Sequence, residues 1–332
     1  MVYPVASGPQ RALSSTRKEG EVQSREARAD TAGGSVQTCL SLTDLGMLTR
    51  LDDLGPRPRL ADCLERLGWK EPPLSGDYPN LRVTRVYLGN EFCERLLPTP
   101  AALRSAYAAL RALDAGITLV TPLLTDSGLK RLRPLLSILE EGCEVVVNDW
   151  GGLRLLRTAY PGLRPVLGRQ LYKMIKDPRM PSAQWSRLHP HGGRSAPFQQ
   201  LLKGFDVAQI EMDLPPFIGP EQFQVGAFAL SVHLPYAYVV KGRMCRIGSL
   251  NQPDQGKFVA GHGCEKECLS YVTRLARPRS GEPGLVEFQR GNTQFYRYSA
   301  AMEAPLREAL EQGQVQRLVF AGDWNEHRCP AQ

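Results

Sequence analysis

Cys264 and Cys268 bound the segment Cys-Glu-Lys-Glu-Cys, a spacing that sets two thiolates about one turn of backbone apart, where both could grip one metal centre. Cys245 lies upstream, across a loop rich in Gly, Asn, Gln and Asp. Cys93 lies far away, at the end of the strand-like run Val83-Thr-Arg-Val-Tyr-Leu-Gly-Asn-Glu-Phe-Cys93. Soft thiolates suit zinc or an iron–sulfur cluster. A C-x3-C pair alone does not choose between them, nor does it exclude buried cysteines acting as small apolar side chains. Of the other cysteines, Cys143 opens an apolar strand and reads as core. Cys39, Cys63 and Cys329 fall in or near segments expected to be flexible and are given no role.

Other side chains suggest chemistry less directly. Asn148 and Asp149 end an apolar run, where they would orient a substrate or a water, or else cap the helix that follows. Arg169, Lys173, Lys176 and Arg179 cluster after the next run and would hold carboxylates or phosphates, or else lie on a solvated loop. His189 and His191 sit in a Gly/Ser/Arg-rich loop, and exposed loop histidines are commoner there than metal ligands. His233 reads either as a core histidine or as a neighbour of the cysteine site. Neither a G-x-S-x-G elbow nor an H-E-x-x-H motif occurs, so proteolysis finds no support in the motifs.

The elements that must position these residues alternate. Strands are expected at Leu81–Gly89, Gly116–Thr121, Cys143–Asn148, Arg164–Arg169 and Val207–Met212, with amphipathic helices between them and a closing strand over Val315–Ala321. Strand–helix alternation implies parallel strands with helical crossovers. Five such units point to an α/β fold with a TIM-barrel-like (β/α) domain, incomplete or distorted. No Gly-rich phosphate fingerprint follows the first of these strands, which argues against a dinucleotide-binding fold. The barrel-like domain is expected over 79–332. Ahead of it, 1–37 is polar and aperiodic and reads as a disordered tail. Residues 38–78 read as short helices, from leucines at helical spacing, and a Pro-rich linker.

Composition sets outer bounds. A chain of 332 residues, 42% apolar, is long enough for one barrel. No run is long and apolar enough to span a bilayer, and no signal-peptide core opens the chain, so a cytoplasmic location with free thiols is expected. A net charge of +7 is compatible with nucleic acid or small anions, but a solvated basic surface is the commoner reason for such a surplus.

Val145-Val-Val-Asn-Asp-Trp-Gly151, together with Val232-His-Leu-Pro-Tyr-Ala-Tyr238 leading into Cys245 and the C-x3-C pair, resembles the peptidase U-32 (collagenase-like peptidase) family. That resemblance implies oxygen-independent hydroxylation of ubiquinone precursors or of RNA bases, with a [4Fe–4S] cluster on four cysteines. Common members have a cysteine where this chain has Tyr238. The UbiV-type subgroup of ubiquinone biosynthesis instead draws a ligand from the end of the first strand, and Val86-Tyr-Leu-Gly-Asn-Glu-Phe-Cys93 is similar to that arrangement. The implied ligand set is Cys93, Cys245, Cys264 and Cys268. The implied partner is a UbiU-like family member in a heterodimer, and the implied ligand is a small carboxylated aromatic, held by Arg169, Lys173 and Lys176 with Asn148 and Asp149 in catalytic positions. Family members tend to carry an E-x-E on the strand before the histidine; here that stretch, Gln222–Leu230, has no such pair. Two alternatives follow from the same resemblance, an RNA-base hydroxylation protein and a non-catalytic iron–sulfur partner.

Overall fold

The computed structural model describes residues 36–69, 80–188, 192–275 and 285–324. Residues 1–35 of the tail expected over 1–37, the Pro-rich linker at 71–77, His189, His191 and Cys329 lie outside the described residues.

A closed barrel of eight parallel strands organises the unit that begins at Val36. Its strands are β1 (Gln37–Leu42), β2 (Val83–Gly89), β3 (Gly116–Val120), β4 (Glu144–Val147), β5 (Arg164–Leu167), β6 (Gln209–Met212) and β7 (Ala229–Leu234). The chain then leaves the barrel for a separate antiparallel sheet of β8 (Tyr236–Lys241), β9 (Thr273–Leu275), β10 (Glu287–Arg290) and β11 (Thr293–Arg297), in the order β8-β11-β10-β9. It returns as β12 (Arg317–Ala321), which pairs with both β1 and β7 and shuts the barrel. Helices α1 (Leu60–Arg66), α2 (Pro100–Ala112), α3 (Asp126–Leu136), α4 (Trp150–Ala159), α5 (Ala183–Leu188), α6 (Ala196–Gly204) and α7 (Ala300–Glu311) fill the connections.

The barrel is therefore of the TIM type, as its alternating pattern implies, and it is complete. Two expectations need correction. The barrel starts at Gln37, so the strand ending in Gly89 is its second, and the first was hidden inside a segment read as tail and short helices. Part of that segment is helical, with a 3-10 turn at Leu45–Arg50 and α1. But Thr38, Cys39, Leu40 and Leu42 are all buried, and a short strand walled on both faces shows no period to separate it from a helix. The stretch Gln222–Leu230 is not a strand either: it opens with a 3-10 turn at Pro220–Phe223, and β7 begins only at Ala229.

Local chemistry accounts for the outer layer. The Thr99 hydroxyl accepts from the Ala102 N–H and Pro100 takes the first helical position, so α2 starts there; Leu103, Ala106 and Leu110 then recur on its buried face. Thr125 caps α3 in the same way through the Gly128 N–H. Inside the barrel, alternate strand residues form a small cluster of Cys39, Tyr87, Val120, Val146, Val166 and Val319. Below it, at the N-terminal ends of the strands, Arg317 pairs bidentately with Glu144 (2.7 and 2.9 Å) and donates to the Tyr87 hydroxyl at 2.8 Å. The barrel is a packed core rather than a pore. Cys39 and Cys63 are wholly buried in it and beside it, and so are not in flexible segments.

Candidate metal and ligand site at the barrel mouth

One cavity of about 160 Å³ opens at the C-terminal ends of the strands, between the barrel and the β8–β11 insertion. Cys93, Cys245, Cys264 and Cys268 all line it. Cys93 stands four residues beyond β2, where the Asn90 side chain accepts from the N–H groups of Phe92 and Cys93 (2.8 and 2.9 Å) and turns the chain into a 3-10 turn at Glu94–Leu96. Gly89, just before, has φ of +121°, and a Cβ there would sit 2.5 Å from the Val120 carbonyl oxygen, so only glycine passes this close to β3.

The other three cysteines come from the loop between β8 and β9. The Gly248 N–H donates to the Cys245 sulfur at 3.2 Å, and Arg95 reaches the Cys264 sulfur at 3.8 Å while holding the Gly261 carbonyl at 2.8 Å. Cys268 lies in the 3-10 turn Glu267–Leu269, and Arg290 donates to its carbonyl at 3.1 Å. Burial pushes the Cys268 thiol up to about 12, with Arg290 working against it and Cys245, Cys93 and Cys264 adding to it; Cys245 is raised for the same first reason. Two glycines leave room for the sulfurs. A Cβ on Gly248 would lie 3.0 Å from the Cys264 Cβ and 3.2 Å from the Cys245 sulfur, and one on Gly291 would lie 3.3 Å from the Cys268 Cβ. His262 closes one side, its Nε2 3.0 Å from the Ser249 hydroxyl.

Beneath the cysteines lies a buried ionic network. Arg169 grips both oxygens of Glu91 and donates to Asp213 at 2.5 Å, and Lys176 holds the other Asp213 oxygen at 2.5 Å. Burial works against the Asp213 charge, but Arg169 and Lys176 outweigh it and keep the carboxyl low. Burial lowers Lys176 to about 8, against the pull of Asp213, so the pair is still ionic at neutral pH. The Lys176 ammonium also sits 3.4 Å above the Tyr238 ring. His233 Nε2 meets Glu211 at 3.0 Å, and Tyr87 packs edge-on against the imidazole. An aromatic wall completes the cavity, with Trp324 stacked on Tyr236 (3.9 Å) and 4.7 Å from Phe295.

The residues expected at the mouth divide. Arg169 lines the cavity. Lys176 is buried behind it, Lys173 is exposed, and Arg179 pairs with Asp177 on the surface, so they do not form one anion pocket. Asn148 is a structural staple: its amide donates to the Thr121 carbonyl at 2.8 Å and its oxygen accepts from the Gln170 N–H at 3.1 Å. Asp149 caps α4 through the Gly152 N–H at 2.6 Å and does not line the cavity. Sequence reasoning missed Glu91, Glu211 and Asp213. Glu211 and Asp213 stand two apart at the end of a recognised strand, a spacing that turns both to the same face. The strand before the histidine is thus β6, and it does bring carboxylates.

No family model matches the sequence, and no curated relative matches it. Among solved structures the chain is similar to a glycoside hydrolase family 18 N-acetylglucosaminidase from Paenibacillus barengoltzii, at 10% identity and a TM-score of 0.33 over 89% of this chain and 97% of that one. It is also similar to the spore cortex-lytic enzyme SleL of Bacillus megaterium QM B1551, at 7% identity and 0.33 over 89% and 72%. For the chitinase ChiW of Paenibacillus sp. str. FPU-7 the figures are 12% and 0.25 over 77% and 32%. Scores this low carry no argument about activity.

Proposed function

We propose that Cys93, Cys245, Cys264 and Cys268 hold a [4Fe–4S] cluster in an iron–sulfur protein resembling the peptidase U-32 family. In this reading it supports oxygen-independent hydroxylation of a small, ubiquinone-precursor-like aromatic, paired with a UbiU-like family member. The observation that carries the reading is that four thiols from two distant segments line one cavity at the barrel mouth. The fit is local as well: Gly248 and Gly291 leave space where a Cβ would crowd the cysteines, and a backbone N–H already points at the Cys245 sulfur.

When bound, such a cluster supplies one-electron transfer, and with four protein thiolates it leaves no open iron. The substrate then has to be held by the chain. The wall of Trp324, Tyr236 and Phe295 suits a flat ring, and Arg243 and Lys266 line the cavity where a carboxylate would need a cation. Arg169 and Lys176 serve the floor instead, since Glu91 and Asp213 occupy them.

Protein purified without oxygen is expected to be brown, with about four iron and four sulfide per chain. Colourless protein carrying zinc alone would overturn the cluster. A loaded pair that leaves the aromatic unchanged without oxygen would overturn the hydroxylation while leaving the cluster in place.

A further inference from the structure

Glu91, Glu211 and His233 meet at the floor of the cavity, beneath the cysteines, and one ligand atom of each lies within 4.8 Å of the others. They arrive from three places, the end of β2, the middle of β6 and the end of β7. All three are buried, yet Glu91 and His233 line the cavity. Glu211 Oε1 has no hydrogen-bond partner among the described residues, although the side chain is wholly buried. The two cations of this floor, Arg169 and Lys176, pair directly with Glu91 and Asp213, while Glu211 has the His233 imidazole and the Tyr87 hydroxyl as near neighbours and feels Arg169 and Arg317 only at a distance. A buried carboxylate oxygen left unpaired is costly unless something positive or donating meets it.

We infer that Glu91, Glu211 and His233 form a divalent-cation site of the manganese, ferrous or zinc class. Mixed carboxylate and imidazole donors suit such ions. Arg169 need not leave Glu91, because each carboxylate oxygen offers two lone pairs. Tyr87, edge-on to His233 at 6.3 Å, fixes the plane of the imidazole. The remaining coordination positions face the cavity, open to water or to an oxygen of a bound molecule. No cysteine belongs to this set, so the site stands or falls apart from the cluster.

Mn²⁺ is the probe, because it favours oxygen and nitrogen over thiolate. Full-length protein stripped with chelator is titrated with Mn²⁺, and the free aqua ion is followed by its EPR signal. We expect uptake to saturate at about one ion per chain, with Glu211→Gln and His233→Gln each weakening it at least about tenfold. Cys264→Ser binds Mn²⁺ as the wild type does. Circular dichroism checks that the variants are folded; should one fail to fold, the other decides together with the wild-type stoichiometry. Absence of saturable uptake in the wild type, or unchanged affinity in a folded Glu211→Gln or His233→Gln chain, would overturn the site.

Discussion

Arg169 closes its guanidinium on both oxygens of Glu91, two residues before Cys93, and so ties the end of β2 to the end of β5 across the barrel mouth. Removing one partner of a buried pair leaves the other charge stranded, and here Arg169→Met strands Glu91 and leaves Asp213 with Lys176 alone. The expected loss is about 3–5 kcal/mol of stability, read from urea unfolding. A loss below about 1 kcal/mol, typical of an exposed pair, would show that the floor is solvated in solution.

Loss of a ligand should be specific. Cys93→Ser is expected to lower bound iron as severely as Cys264→Ser, since each removes one of four thiolates. Cys143→Ser, at the opposite end of a strand and 3.5 Å from the Tyr107 hydroxyl, should leave iron untouched. Iron and sulfide analysis of the three variants checks this. A normal iron content in Cys93→Ser would remove Cys93 from the set.

Gly291 and Gly313 both have positive φ, +57° and +67°, but only Gly291 is crowded, against Cys268. Gly291→Ala and Gly313→Ala should each cost about 1–2 kcal/mol of backbone strain. Only the first should also lower iron occupancy. Equal iron in both variants would mean that the sulfurs do not need that space.

Acid stability should depend on Glu144. Burial raises its carboxyl, but Arg317 and then Arg85 outweigh burial and hold it below its ordinary 4.5. A carboxyl lowered in the folded state contributes stability at neutral pH, and that contribution is lost as the pH falls through the folded value. Urea midpoints measured downward from pH 6 should therefore drop below about pH 4.5, and Glu144→Gln should flatten that limb. An identical acid limb in the variant would show that other carboxyls set it.

Much of the barrel was legible because its strands and helices alternate, and β2, β4 and β12 lie within a few residues of their expected places. β1 was not, because it is a six-residue strand buried on both faces beside a leucine-rich helical stretch. The β8–β11 sheet was not either: its strands are short, and their partners come from both sides of the cysteine loop. At the site, thiols announce themselves by type and spacing, and the four lie on one cavity. Cations do not announce their partners. Lys173 and Lys176 look alike in sequence, yet one is exposed and the other sits buried against Asp213, because a carboxylate from β6 meets only the second.

The position of the insertion, after β7 and before β12, also sets an order in time. During synthesis Cys245, Cys264 and Cys268 leave the ribosome before the strand that shuts the barrel. That strand's contacts with β1 join residues 280 apart in the chain, as between Gln37 and Arg317. Contacts so distant form late and slowly. A nascent chain would therefore present its cysteine loop while the barrel is still an open sheet, so the thiols are most accessible to any metal centre before β12 is in place.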